Sequence, residues 1–490
     1  MNGKAGRPLS TWDKTVVPLG FFDNAVAMHG LLYTMFLFND VLDATRLRES
    51  LESLIERDGW RKVGARLRRN PRTRCLEQHI PSKFTEDCRA FRFYHVEHET
   101  TRANHPIASR IPSTPTAPAV MTDLDDLKAL WLHPDMPTKK RDYLRRDEPA
   151  LSLFVNSFHD ATVMSISWPH MLFDALGFGE LLRAWSLTLQ GRSAEVPTPF
   201  GTEHDALVEL GRNPTEPHKH AGDFHSWIGL IYCILKTFID IYFYGQVART
   251  VCVPRPFLQQ LRQQALRDSP AQATDHDQPF LSDGDLLTAW WAKVITAHLP
   301  RGSSKRCEIL FVMGLRTILA DDMLPSDRPC ISNAAVLCSL VLPLRDVLSK
   351  PLSHVARLHR QCITEARERG QVEAYAALWR KAPLNIHPFA ANSSTTSVAC
   401  SNWSKAKLFE LDFSAAISKQ AATVAPNRSG RPSWVQSGFR DALRCNWLCV
   451  IGKDAGGDYW MTGHTTAAHW AKIEQAVARW TTTGKDADYM

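Results

Sequence analysis

Ser165–Trp185 reads SISWPHMLFDALGFGELLRAW, and it decides the fold because two kinds of element meet inside it. Its first part has the apolar density of a buried strand. From Phe173 onward, Phe173, Leu176, Leu181, Leu182 and Trp185 recur at helical spacing and predict an amphipathic helix. His170 and Asp174 sit at the junction, where rigid elements can fix a side chain at the edge of a cleft. An imidazole near its ordinary pKa can take a proton from an alcohol or amine attacking a carbonyl, then return it to the leaving group. The spacing alone is uninformative: 19 histidines should give on the order of one His-x-x-x-Asp pair at average residue frequencies, and the chain has this one. A core or capping histidine therefore stays open on these residues alone. No G-x-S-x-G turn nominates a serine nucleophile.

Working outward, LSLFVNSF and ATVMSISW predict a hairpin turned at His159 and Asp160. LYTMFLFND from Leu32 reads as a strand, and the helix after it is marked by Leu47, Leu51, Leu54 and Ile55. RTVCVPRPFLQQLRQQAL begins another strand-then-helix unit, and DGDLLTAWWAKVITAHL is a long apolar-faced helix. Such alternation predicts a mixed α/β architecture, and 490 residues suit two or three domains. The Pro-, Gly- and His-containing stretch from Gln190 to Gly222 interrupts the periodicity, so the boundary is expected between 190 and 245. No repeat of solenoid period is present.

Charge excludes little more than nucleic acid. The net charge is +7, with basic residues dispersed; ARLRRNPRTR (Ala65–Arg74) and KKRDYLRR (Lys139–Arg146) lack interleaved aromatics and read as solvated faces or loops. The 11 cysteines show no framework spacing, and Cys445 and Cys449 have no second pair at zinc-ligand distance, so no metal is expected. MNGKAGRPLSTWDK has no apolar signal core, which with the cysteines points to a reducing compartment. WIGLIYCILKTFIDIYFY (Trp227–Tyr244) has the length of a short membrane span, but Lys236 and Asp240 interrupt it; a packed or surface helix is expected, with peripheral membrane contact as the alternative.

Several segments together resemble the BAHD acyltransferases, particularly the fungal members that decorate secondary metabolites. PLSTWDKTVVP (Pro8–Pro18) is similar to the family's opening segment, and the stretch from Ala150 to Trp185 to its hairpin, His-x-x-x-Asp motif and following helix, Gly177 included. FLSDGDLLTAWWAKV resembles the helix opening the second half, MGLRTIL its Arg-containing strand end, ISNAAV its Gly-Asn segment with Ser332 for Gly, and SNWSKAKLFELDFSAA the stretch ending in Asp-Phe-Gly-Trp-Gly.

The resemblance implies two chloramphenicol-acetyltransferase-like domains, residues 1–195 and 246–490, joined by a crossover at 196–245, with an active-site channel between them. It implies acyl transfer from acyl-CoA, acetyl-CoA foremost, to a hydroxyl of a fungal metabolite such as a terpenoid or polyketide, with His170 as general base and no acyl-enzyme. Asp174 would pair with Arg316 and orient the His170 loop. Ser401 and Trp403 would donate to the oxyanion, Asn333 would line the channel near the coenzyme, and Asp412 would belong to the coenzyme-side segment. Ser414, Ala415 and Ala416 replace the family's Gly-Trp-Gly and imply a different local path there. The expected molecule is a cytoplasmic monomer, peripheral to the endoplasmic reticulum if Trp227–Tyr244 touches membrane. The competing readings are the same fold turned to coenzyme-independent cyclisation or elimination, and a non-catalytic binding protein.

Overall fold

The computed structural model describes residues 13–224, 227–268, 280–388, 395–420, 428–440 and 446–483. Leu9 and Ser10 of the opening segment, and Cys445, lie outside the described residues.

Two mixed sheets carry the fold. The first runs Trp434–Arg440, Leu31–Phe38, Thr162–Pro169, Ser152–Ser157, Arg92–Glu97, antiparallel except for the last pair. The second runs Ala335–Pro343, Arg306–Gly314, Thr395–Asn402, Trp447–Lys453, Tyr459–Thr465, Val247–Val253, Ala119–Asp123. Within it, Thr395–Asn402 is parallel to both of its neighbours. The hairpin around His159 pairs Ser157 with Thr162, closed by a Phe158 N–H to Ala161 carbonyl bond of 2.9 Å.

Chain order and sheet membership differ at two strands. Ala119–Asp123 precedes the His170 motif yet pairs with Val247–Val253 in the second sheet, and Trp434–Arg440 returns to pair with Leu31–Phe38 in the first. Each sheet therefore needs a strand from the other side of the 196–245 crossover. Among the described residues of this stretch no strand precedes Val247; from Gln190 to Phe224 it forms turns and short 3-10 segments. It is nonetheless anchored, with Leu207 and Leu210 buried among Phe311, Met313 and Trp379.

Helix boundaries follow from caps. Asp43 accepts from the Thr45 and Arg46 N–H groups to start Ala44–Ile55, whose Leu47, Leu51, Leu54 and Ile55 are all buried. Ser282 and Asp285 form a reciprocal capping box for Asp283–Thr296. That helix is buried on every side rather than on one face, with Trp290 and Trp291 both in the core, because sheet and neighbouring helices enclose it.

Of the basic stretches, Lys139, Arg141, Arg145 and Arg146 are exposed as expected, and so are Arg69, Arg72 and Arg74, but the start of Ala65–Arg74 differs. Arg66 and Arg68 are buried: Arg68 donates to Asp147 Oδ1 at 2.5 Å, and Arg66 donates to the Gly64 and Arg89 carbonyls. Their guanidinium groups are consumed by the interior. Trp227–Tyr244 is a single helix of 18 residues in which Lys236 Nζ donates to Asp240 Oδ2 at 2.5 Å. Ile231, Leu235, Phe238, Ile239, Tyr242 and Phe243 are exposed along it. Among the described residues no helix is long and apolar enough to cross a membrane.

Candidate active site

The Thr162–Pro169 strand is a central strand, so nearly all of it is buried and it ends rigidly. Trp168 stacks on Phe178 at 4.1 Å and lies 5.2 Å from Phe173, which welds the strand end to the helix that follows. Between them the chain turns through His170, half-buried between the buried Pro169 and Met171. Its backbone is held on both sides. The His170 N–H donates to the Gly30 carbonyl at 3.0 Å, and its carbonyl accepts from Asn333 Nδ2 at 3.0 Å.

Asp174 caps the Ala175–Leu189 helix by accepting from the Gly177 N–H at 2.9 Å. The same carboxylate accepts from both terminal nitrogens of Arg316, at 2.8 and 2.9 Å, and from the Ala334 N–H at 3.0 Å. Four donors saturate its lone pairs. Burial alone would raise the Asp174 pKa, but the Arg316 charge and these hydrogen bonds hold it below the ordinary value. Arg316 commits four of its five N–H groups here, donating also to the Cys330 and Ser332 carbonyls at 2.9 and 2.8 Å. A Cβ on Gly177 would lie 2.1 Å from the Ile331 carbonyl oxygen, so only glycine lets helix and loop approach this closely.

The second sheet delivers these partners at one edge. Arg306–Gly314 runs into Arg316, Ala335–Pro343 starts just after Asn333, and Thr395–Asn402 ends beside Trp403. Gly314 pairs with Ala335, which closes the 315–334 excursion at its base. The structure thus brings His170, Asp174, Arg316 and Asn333 into one hydrogen-bonded unit built from both sheets.

The structure places three further predicted residues as follows. Trp403 donates its indole N–H to Ser401 Oγ at 3.1 Å, so the one donor on its ring is committed and the Ser401 hydroxyl proton is what remains to give. Asn333 is only 3% exposed, its Nδ2 shared between Asp23 Oδ1 and the His170 carbonyl, so its side chain points to the histidine loop instead of an open channel wall. Asp412 sits at the far end of the Ala175–Leu189 helix, where its carbonyl accepts from Ser186 Oγ at 2.6 Å and Gln190 Nε2 at 3.2 Å. A helix of 15 residues separates it from Asp174 by about 22 Å.

The altered segment after Asp412 is a single 3-10 turn, Ser414–Ala416, with no left-handed residue in it. Beside it Gly430 is left-handed, at φ 72°, and its missing Cβ makes room for Ser414. Sequence reasoning missed Asp23 and Lys62, polar residues buried against the 331–334 loop from the first half. Their signal was faint: each lies inside a short stretch, FFDNAV and GWRKVG, without a motif around it.

Comparison with known proteins agrees with this arrangement. A family model described as Transferase family matches residues 121–432. The transcriptional regulator calD of Penicillium decumbens is 36% identical over 474 residues, spanning 94% of each chain. The acetyltransferase adrJ of Penicillium rubens is 33% identical over 487 residues, 96% of this chain and 97% of that protein. Among solved structures, F. sporotrichioides TRI101 complexed with coenzyme A and T-2 superimposes with a TM-score of 0.65 at 15% identity, covering 95% of this chain and 98% of its own.

Proposed function

The chain belongs to the transferase family as a BAHD-type acyltransferase, and from that premise we propose that it carries an acyl group from acyl-CoA to a hydroxyl of a fungal secondary metabolite. Acetyl-CoA is the proposed donor and a terpenoid or polyketide alcohol the acceptor. The acetyltransferase name of the Penicillium rubens relative and the coenzyme A complex of TRI101 support that choice. The two halves, residues 1–195 and 246–490 with 196–245 crossing between them, would admit the two substrates to His170 from opposite sides.

In this reading His170 Nε2 takes the acceptor's hydroxyl proton as the oxygen attacks the thioester carbonyl. The tetrahedral oxyanion collapses, the carbon–sulfur bond breaks, and the imidazolium returns the proton to the departing thiolate. Both substrates held in one site supply the proximity, so no acyl-enzyme is required. The Ser401 hydroxyl donates to the oxyanion, and the Trp403 indole behind it polarises that hydroxyl. Asp174 and Arg316 shape the loop and take no proton.

The observation that carries this reading is the contrast between the two motif residues. Asp174 is saturated by four donors and closed to substrate, whereas half-buried His170 is pinned through its own backbone at the meeting of the two sheets. The transcriptional-regulator name belongs to calD; in this chain the side chains of Arg66 and Arg68 are turned into the interior, which supports no basic patch at those two positions.

The test incubates purified protein and His170→Ala with acetyl-CoA and a panel of hydroxylated terpenoids and polyketides, following thiol release and product mass together. Thiol release matched by one acetyl unit per product, and reduced at least about 100-fold in the mutant, is expected. Product formed without coenzyme would give the coenzyme-independent reading first place. We further propose that the protein is a monomer resting on a membrane surface through the exposed apolar face of Trp227–Tyr244, which would suit an apolar acceptor. Full recovery in the supernatant after sedimentation with neutral phospholipid vesicles would refute the membrane contact.

A further inference from the structure

Lys62 is 3% exposed, and a lysine buried to that extent is almost always paired. Its Nζ donates to Ser332 Oγ at 2.6 Å. Ser332 is the residue that stands where the resembling family has glycine, so the hydroxyl and the buried cation that grips it belong together. The neighbouring Asn333 is gripped from the same side: Asp23 Oδ1 accepts both its N–H, at 2.9 Å, and its Nδ2–H, at 2.7 Å. The second Nδ2 hydrogen goes to the His170 carbonyl. Lys62, Asp23 and His170 come from the first half of the chain, while Ser332 and Asn333 belong to a loop of the second.

We propose that Lys62 is a positioning residue for His170, acting through the Ser332–Asn333 segment that it and Asp23 hold against the histidine's carbonyl. The inference rests on His170 being the base. Geometry gives Lys62 two handles on the loop, one direct and one electrostatic. The direct handle is the Ser332 hydrogen bond. The other is the charge state of Asp23: burial pushes that carboxyl's pKa up, and Lys62 pulls it back down. Asp205, the other charge acting on it, pushes it up. Without the ammonium, Asp23 would take up a proton at a higher pH and become a weaker acceptor for both Asn333 bonds. The histidine would keep its N–H bond to Gly30 and lose the firm hold on its carbonyl.

The role predicts a kinetic pattern that loose folding does not give. With acetyl-CoA and the panel alcohol that turns over fastest, Lys62→Met is expected to lower kcat about tenfold while both KM values stay within about twofold. Its kcat should also fall off on the acid side at a higher pH than wild type. Ser332→Ala, which removes the hydroxyl without touching a charge, should lower kcat a few-fold, and the double variant should be no worse than Lys62→Met alone, because one contact is lost only once. Should Lys62→Met fail to fold, Ser332→Ala and Asp23→Asn carry the test, each expected to lower kcat with KM unchanged.

Wild-type kcat and an unmoved pH profile in Lys62→Met and Ser332→Ala, with His170→Ala inactive, would overturn this inference and leave the base assignment standing. Wild-type turnover by His170→Ala would overturn both.

Discussion

The two ends of the Ala175–Leu189 helix each hold an aspartate that sequence comparison singles out, and they are built in opposite ways. At the first end, the Asp174 side chain accepts four hydrogen bonds from Gly177, Ala334 and Arg316. At the second, it is the main-chain carbonyl of Asp412 that holds Ser186 and Gln190, while its carboxylate accepts from the Ser414 N–H and lies 3.8 Å from half-exposed Arg431. A motif residue used through its side chain tolerates no substitute. One used through its backbone does, and so does the segment around it: Ser414, Ala415 and Ala416 fit as a 3-10 turn because Gly430, without a Cβ, leaves room for Ser414.

The comparison can be broken most severely at the first end. Asp174→Asn keeps the shape but removes the charge that balances Arg316, and breaking a buried ion pair costs about 3–5 kcal/mol. Thermal melting should register that loss, and turnover should drop about tenfold or more as the His170 loop relaxes. The pH dependence has a definite sign. A carboxyl held below its ordinary pKa contributes stability that is complete above the unfolded value and is lost as pH falls through the lower folded one. The melting difference between wild type and Asp174→Asn should therefore be constant near neutrality and shrink below pH about 4. An equal difference at all pH values would mean the pair does not carry it.

Next in size is Gly177→Ala. Its Cβ would sit 2.1 Å from the Ile331 oxygen, which is backbone and cannot swing aside. An overpacking cost of about 1–3 kcal/mol is expected, measured as a fall in denaturation midpoint, with reduced kcat because the displaced loop carries Asn333. At the second end, Asp412→Ala should stay within about 1 kcal/mol of wild type, since the carbonyl contacts survive, and should turn over normally. A large kcat or KM effect from Asp412→Ala would erase the contrast between the two ends.

Legibility follows the same division. The hairpin, the strand-to-helix junction and the Ala44–Ile55 helix could be read because hydrophobic period and caps are local signals. The pairing of Asp174 with Arg316 was legible only through the family's pattern, as the partners are 142 residues apart. Asp23 and Lys62 were not legible, because a single buried charge has no periodicity and its partners lie in a distant loop. The strand exchanges were hidden for a related reason: a strand's own pattern says that it is buried, not which sheet buries it. Arg66 and Arg68 read as solvated because composition cannot show that Asp147 waits inside for them.

The strand that begins at Leu31 receives its Trp434–Arg440 neighbour some 400 residues later, a delay of about 20–80 seconds at common rates of synthesis. Until then the nascent sheet that carries His170 has an open edge on the ribosome, exposed to pairing with whatever else is extended nearby. The enzyme is thus a protein whose first half is translated early and finished last, and a truncation just before Trp434 would leave the first sheet incomplete as well as removing Trp447–Lys453 and Tyr459–Thr465 from the second.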